Sequence, residues 1–180
     1  MILFQHLVDN TVKRFRSQIA NLLTIMNLSL GGFAILSVLQ GQLGITVALI
    51  SAAAIFDSLD GKIARSLNIE SELGKQLDSL CDIISFGVAP ALLIYQSTIQ
   101  HFGIAGSLTV ILFIACGAIR LARFNVTESE GFFIGLPITA AGCILTASHL
   151  FNEIIPLPAF MFLILTLSFL MISHFQIRKM

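Results

Sequence analysis

Four long blocks of this chain contain no Asp, Glu, Lys or Arg: 17–56, 83–119, 131–152 and 154–177. A helix needs about 20 apolar residues to cross a bilayer, where every backbone polar group must be bonded within its own segment. The first two blocks are each long enough for two crossings with a turn between them. Gln40-Gly41-Gln42 interrupts the first and His101-Phe102-Gly103 interrupts the second. The pattern predicts an all-α, polytopic membrane protein. Its six transmembrane helices are expected over 19–39, 43–65, 73–97, 103–124, 132–151 and 156–175. Charged residues make up 11% of the chain and mean hydropathy is +0.93, whereas a soluble domain carries roughly 25% charge. At 180 residues a single domain, 1–180, is expected.

The ten basic residues fix an orientation. Lys13, Arg14 and Arg16 precede the first span; Lys62, Arg65 and Lys75 flank the connection from the second to the third. Arg120 and Arg123 end the fourth, and Arg178 and Lys179 follow the sixth. All lie on one side, which the positive-inside rule makes cytoplasmic, with both termini inside. Residues 1–18 read as an interfacial amphipathic helix, with Ile2, Leu3, Phe4, Leu7 and Val8 set against Lys13, Arg14 and Arg16. No cleaved signal peptide is expected, because the basic residues follow the first apolar residues instead of preceding them. Formal net charge is zero, so bulk charge favours no partner and no nucleic acid is expected. Cys81, Cys116 and Cys143 have neither metal nor disulfide spacing and read as packing residues.

What charge remains is concentrated between Asp57 and Asp82, as D-x2-D-G-x2-A-R-x8-G-x3-D-x3-D. Asp57, Asp60, Gly61, Ala64 and Arg65 share one helix face, and Gly74, Asp78 and Asp82, each four apart, share another. Turned towards each other, the two faces gather four carboxylates in a small volume. Such a group needs a cation, or some of its members must be protonated. Oxygen-only ligands point to Mg2+ or Mn2+. Gly61, Ala64 and Gly74 leave space for a ligand. Two metal ions beside an arginine are suited to clamping a pyrophosphate during displacement at phosphorus. An acidic residue inside a membrane span is functional by default.

Other polar residues leave two readings open. Asn21, Thr24 and Asn27 form a stripe on the first span that serves either interhelical hydrogen bonding or a ligand. Arg120 and Arg123, i and i+3 on the fourth span, are either anchors to lipid phosphates or an anion-binding pair facing the site. Pro90 should kink the third span. Spans five and six read as scaffold.

The Asp57–Asp82 pattern resembles the signature of the CDP-alcohol phosphatidyltransferase family. Asn21-Leu-Leu-Thr24-x2-Asn27-Leu28, Leu77 to Pro90, Gly117 to Asn125 and Phe133-Ile-Gly-Leu-Pro137 resemble its serine-using branch, of the bacterial and archaeal integral-membrane type. The likeness covers about 20 to 140 and departs at Ala20, where the family usually has Pro. It implies six membrane helices and a homodimer. It implies metal-dependent transfer of a phosphatidyl group from CDP-diacylglycerol to L-serine, with release of CMP. By the same resemblance Asp57, Asp60, Asp78 and Asp82 would hold two metal ions, and Asp82 would also be the general base. Asn21, Thr24, Gly61, Ala64, Arg65 and Gly74 would line the CDP-lipid site. Arg120 or Arg123 would hold the serine carboxylate. Glycerol 3-phosphate or inositol phosphate is an alternative acceptor, and a divalent-cation transporter is the alternative outside the enzyme class.

Overall fold

Gly41 closes the first helical hairpin. Its φ of 73° is left-handed, and the Gly41 N–H bonds Val38 O at 2.9 Å while Gln42 N–H bonds Ser37 O at 2.9 Å. This is a Schellman cap, and only a residue without Cβ enters it without strain. It joins α1 (Ile2–Leu39) to α2 (Leu43–Leu67), and the two pack along each other. The computed structural model describes residues 2–67, 72–126, 132–173 and 176–178, with side chains over 21–62, 72–126 and 135–173.

α1 runs unbroken through the boundary expected at 18, so the interfacial helix is no separate element; its side chains lie outside the described ones. The third expected span is one rod in three parts: α3 (Glu72–Asp82), a π-helical segment (Ile83–Val88) and α4 (Ala89–Ser97). The cause is Pro90. It has no N–H to offer the carbonyl four residues back, Phe86 O, and the chain widens there instead. Ala89 N–H accordingly reaches Ile84 O, five residues back. A short 3-10 turn (Ile99–Phe102) and Gly103, at φ 55°, lead into α5 (Ile104–Val126).

The last third departs from expectation. The fifth helix was expected from 132, but β1 (Phe132–Ile134) comes first and α6 spans only Ile138–His149. Gly135, at φ 74°, makes the break, and a Cβ there would lie 2.7 Å from Met171 O. Pro137, at φ −57° and ψ 140°, is the N-cap residue, and the helix begins at Ile138. α7 (Leu157–Ile172) follows, and β2 (Gln176–Arg178) pairs antiparallel with β1, Phe133 opposite Ile177. The protein is thus predominantly helical, with one short two-stranded ribbon that the all-α expectation did not contain. Among the described residues, four helices are long and apolar enough to cross a membrane: Asn21–Leu39, Leu43–Lys62, Glu72–Ser97 and Ile104–Val126. α6 and α7, at 12 and 16 residues, fall short of that length.

Packing sets the helices against the π segment. Ser85 donates to Asn27 O at 3.1 Å, and a Cβ on Gly31 would collide with Ser85, so α1 can approach only because Gly31 has none. On the other side Gly142 of α6 lies over Phe86, where a Cβ would be 2.5 Å from Phe86 O. Phe86, Phe113 and Phe160 are fully buried between the layers. Phe33, Phe162 and Phe169 are exposed, as expected of helix faces turned to lipid.

Candidate active site

α2 and α3 do present their acidic faces to each other. One carboxylate oxygen from each of Asp57, Asp60 and Asp78 lies within 4.8 Å of the others. Asp82, one turn beyond Asp78, faces Asp57 closely enough to share a hydrogen bond when one of the two carries a proton. Asp60 and Asp82 are buried, at 5% and 8% exposure, which excludes a solvated charge run. α1 supplies the support: Thr24 Oγ1 donates to Asp60 Oδ2 at 3.2 Å. That bond holds one of its two oxygens, and the Gly61 N–H also bonds this carboxylate. Asp82 Oδ1 is buried without a partner among the described residues.

These side chains form one wall of a cleft of about 550 Å³. Ala54, Ser58 and Gly61 of α2 complete that wall, their small size keeping the cleft open. The opposite wall is the first turn and a half of α6: Pro137, Thr139, Ala140 and Cys143. No Lys, Arg or His lines the cleft among the described residues. Carboxylates at this separation repel by about 3–4 kcal/mol per pair at an effective dielectric near 20, so ionised together they require a cation. The donor set fits one. It is all oxygen, three members converge, and a fourth has an orphaned buried atom aimed into the same space.

The other expected site residues separate. Gly61 lines the cleft and Thr24 bonds one of its acids. Asn21 and Gly74 are half-buried and not part of the lining. The side chains of Ala64 and Arg65 lie outside the described ones. Arg123 Nη1 donates to Ile172 O at 3.2 Å, at the C-terminal end of α7, where a cation also meets the negative end of the helix dipole. Arg120 sits within electrostatic reach of Asp82, its Nε buried without a partner among the described residues, but it does not line the cleft. Asn125 bonds Ser79 at 3.0 Å and Gln76 at 3.4 Å, tying the end of α5 to α3 beside Asp78.

A family model for CDP-alcohol phosphatidyltransferase matches residues 17–178. The chain belongs to this family. Among its relatives, the archaetidylserine synthase of Methanothermobacter thermautotrophicus is 40% identical over 170 residues, covering 91% of this chain and 72% of the relative. A CDP-diacylglycerol–serine O-phosphatidyltransferase of Bacillus subtilis is 37% identical over 136 residues, 74% of this chain and 77% of the relative. The enzyme of that name in Mycobacterium tuberculosis is 39% identical over 126 residues, 66% of this chain. This chain spans less than half of the mycobacterial protein, the match covering 44% of it. In this member of the CDP-alcohol phosphatidyltransferase family the four aspartates come from α2 and α3, and the facing wall comes from α6. The sequence reading missed that wall: it took the fifth span as scaffold, although Gly135-Leu136-Pro137 aims the turn that follows.

Proposed function

We propose that this chain transfers a phosphatidyl group from CDP-diacylglycerol to the hydroxyl of L-serine, giving phosphatidylserine and CMP. The observation that carries the reading is the convergence of Asp57, Asp60 and Asp78, with Asp82 beside them, in one cleft of a chain belonging to this family. Serine as acceptor is supported by the relatives named for serine. Diacylglycerol as the lipid follows the bacterial relatives, and the Methanothermobacter name indicates the archaeal lipid as the other donor type.

Asp57, Asp60, Asp78 and Asp82 would hold two divalent ions, Mg2+ or Mn2+. Bound there, the ions would neutralise pyrophosphate charge and the charge that develops on departing CMP. Thr24 holds Asp60 in its ligand orientation. Asp82, with a free oxygen in the cleft, takes the proton from the serine hydroxyl. The serine oxygen forms its bond to the lipid-linked phosphorus as the bond from that phosphorus to CMP breaks. Asn21, Gly61, Ala64, Arg65 and Gly74 contact the CDP-lipid. Arg120 biases the acceptor side electrostatically; Arg123, engaged at Ile172 O, is the weaker of the two acceptor candidates.

The reading includes one domain over 1–180, six spans with both termini and the cleft cytoplasmic, residues 1–18 at the interface, and a homodimer. The bias of the basic residues supports the orientation. The test is CMP release by the purified chain with CDP-diacylglycerol and, in turn, L-serine, glycerol 3-phosphate and inositol phosphate. Serine alone is expected to support turnover. Turnover with one of the others instead would replace the acceptor, and metal flux into sealed vesicles without any CMP release would replace the enzyme reading.

A further inference from the structure

Asp78 and Asp82 stand on a helix that the protein packs lightly. Of the residues of α3, Cys81 and Asp82 alone are buried. Leu73 and Leu80 are 73% and 63% exposed, so apolar packing does little to fix the helix from Glu72 to Leu80. Beyond Asp82 the rod runs into the π segment, so no regular α-helical continuation holds it in line. Asp78 must nevertheless face Asp57 and Asp60, with one oxygen of each within 4.8 Å of the others, where like charges push α3 away from α2. Thr24 restrains an acid of α2; it does nothing for α3.

Rotation of α3 about its own axis is the sensitive coordinate. Each residue takes about 100° of a helical turn, so Asp78 and Asp82, four apart, lie nearly one above the other. A rotation by about that much would swing both carboxylates off the cleft together. Gln76 and Ser79, three apart, share a second face, about a third of a turn round from the acids. The Asn125 carboxamide of α5 meets that face. Its Nδ2 donates to Ser79 Oγ at 3.0 Å and to Gln76 Oε1 at 3.4 Å, and Ser79 Oγ in turn donates to Asn125 Oδ1 at 3.2 Å. Asn125 and Ser79 are both half-buried, so water competes less for these bonds than at an open surface. The group that does the holding is itself held. Two residues earlier Arg123 Nη1 donates to Ile172 O of α7 at 3.2 Å, and Leu121 is buried. A hydrogen bond made to the side of α3, from a helix tied to a third one, opposes its rotation.

We propose that Asn125 is a positioning residue of the acidic site: by holding Ser79 it sets the rotation of α3 and keeps Asp78 and Asp82 turned towards Asp57 and Asp60. It touches neither ion nor substrate. This rests on the four acids holding divalent ions, and the experiment separates the two claims. Asn125→Leu, close in volume but without the carboxamide, and Ser79→Ala cut the bond from either end. Each full-length single variant, the double variant and the native chain are titrated with Mg2+ or Mn2+. The metal concentration for the half-maximal rise in unfolding temperature is read, and CMP release is read beside it. The expected result is a metal midpoint about tenfold higher in each single variant, as for loss of a group that orients metal ligands. The double variant should be no worse than either single one, because the two changes remove one shared bond. At saturating metal, kcat and the KM values for L-serine and CDP-diacylglycerol should stay within about twofold. Ser79→Thr, which keeps the hydroxyl, should keep the native midpoint. An unchanged midpoint in either single variant would overturn the proposal, as would losses that multiply in the double variant. A KM raised at saturating metal would overturn it too, and would make Asn125 a substrate contact. A native chain whose unfolding temperature and turnover both ignore metal would instead remove the cation reading, and this role with it.

Discussion

Thr24 on α1 reaches across to Asp60 on α2 and donates a 3.2 Å hydrogen bond to one of its two carboxylate oxygens. The threonine comes from the polar stripe on the first span, and the contact is an interhelical hydrogen bond made to one of the acids of the cleft. A carboxylate so anchored is restrained from rotating. Thr24→Val, which keeps the shape, should raise the Mg2+ or Mn2+ concentration for half-maximal activity by about tenfold to a hundredfold, the usual cost of losing a group that orients a metal ligand. Metal titrations of CMP release check this; an unchanged midpoint would reduce the bond to helix packing.

Asp82→Asn preserves volume and removes the carboxylate proposed to accept the serine proton. Turnover should fall by about 10²–10⁴-fold, while the thermal unfolding midpoint in detergent stays close to that of the native chain. Activity close to native at saturating metal would reassign the base.

Chelation offers a readout independent of turnover. Four carboxylates in a 550 Å³ cleft repel one another until a cation is present. EDTA should therefore abolish CMP release and also lower the unfolding midpoint, and Mg2+ or Mn2+ should restore both. At a hundred times its dissociation constant, a bound ion adds about 2.7 kcal/mol to the folded state. A midpoint indifferent to metal would argue that the acids are neutralised by protons alone.

Two glycines make an opposed pair. Gly142 is in contact with the Phe86 backbone, with 2.5 Å between a prospective Cβ and Phe86 O, and backbone cannot rotate away. Gly142→Ala should destabilise by about 1–3 kcal/mol through overpacking, despite the better helix propensity of alanine. Gly32 has nothing within 4 Å of a prospective Cβ, so Gly32→Ala should be neutral or stabilise by up to about 1 kcal/mol. Thermal unfolding of both variants in the same detergent tests the pair, and Gly142→Ala at or above native stability would refute the packing account.

The acidic half of the site could be read from the chain because helical periodicity alone puts residues three and four apart on one face, and a membrane core allows few other reasons for buried aspartates. The α6 half could not. Its position depends on Ile138 finding the Gly87–Gly117 notch, a meeting of three segments far apart in sequence. Arg123 was ambiguous for a related reason: charge and spacing do not distinguish a lipid phosphate, a substrate anion and the end of another helix, and it is Ile172 O that receives its hydrogen bond. Pro90 was legible as an interruption, but its resolution into a π turn depends on how neighbours use the widened backbone. Phe132–Ile134 lay in an apolar run, and short apolar runs carry no periodicity that separates strand from helix.

α6 is short for a helix within a bilayer. Twelve residues at about 1.5 Å each make a rod of about 18 Å, against a hydrocarbon layer of about 30 Å. Such a rod cannot touch both water interfaces of an unperturbed bilayer, so the surrounding lipid must thin or its ends must sit below the headgroups. An acidic hollow that opens at one of those ends is a dent in the oily slab. A long-chain substrate could bring its polar head into such a dent by drifting sideways, without lifting its tails into water.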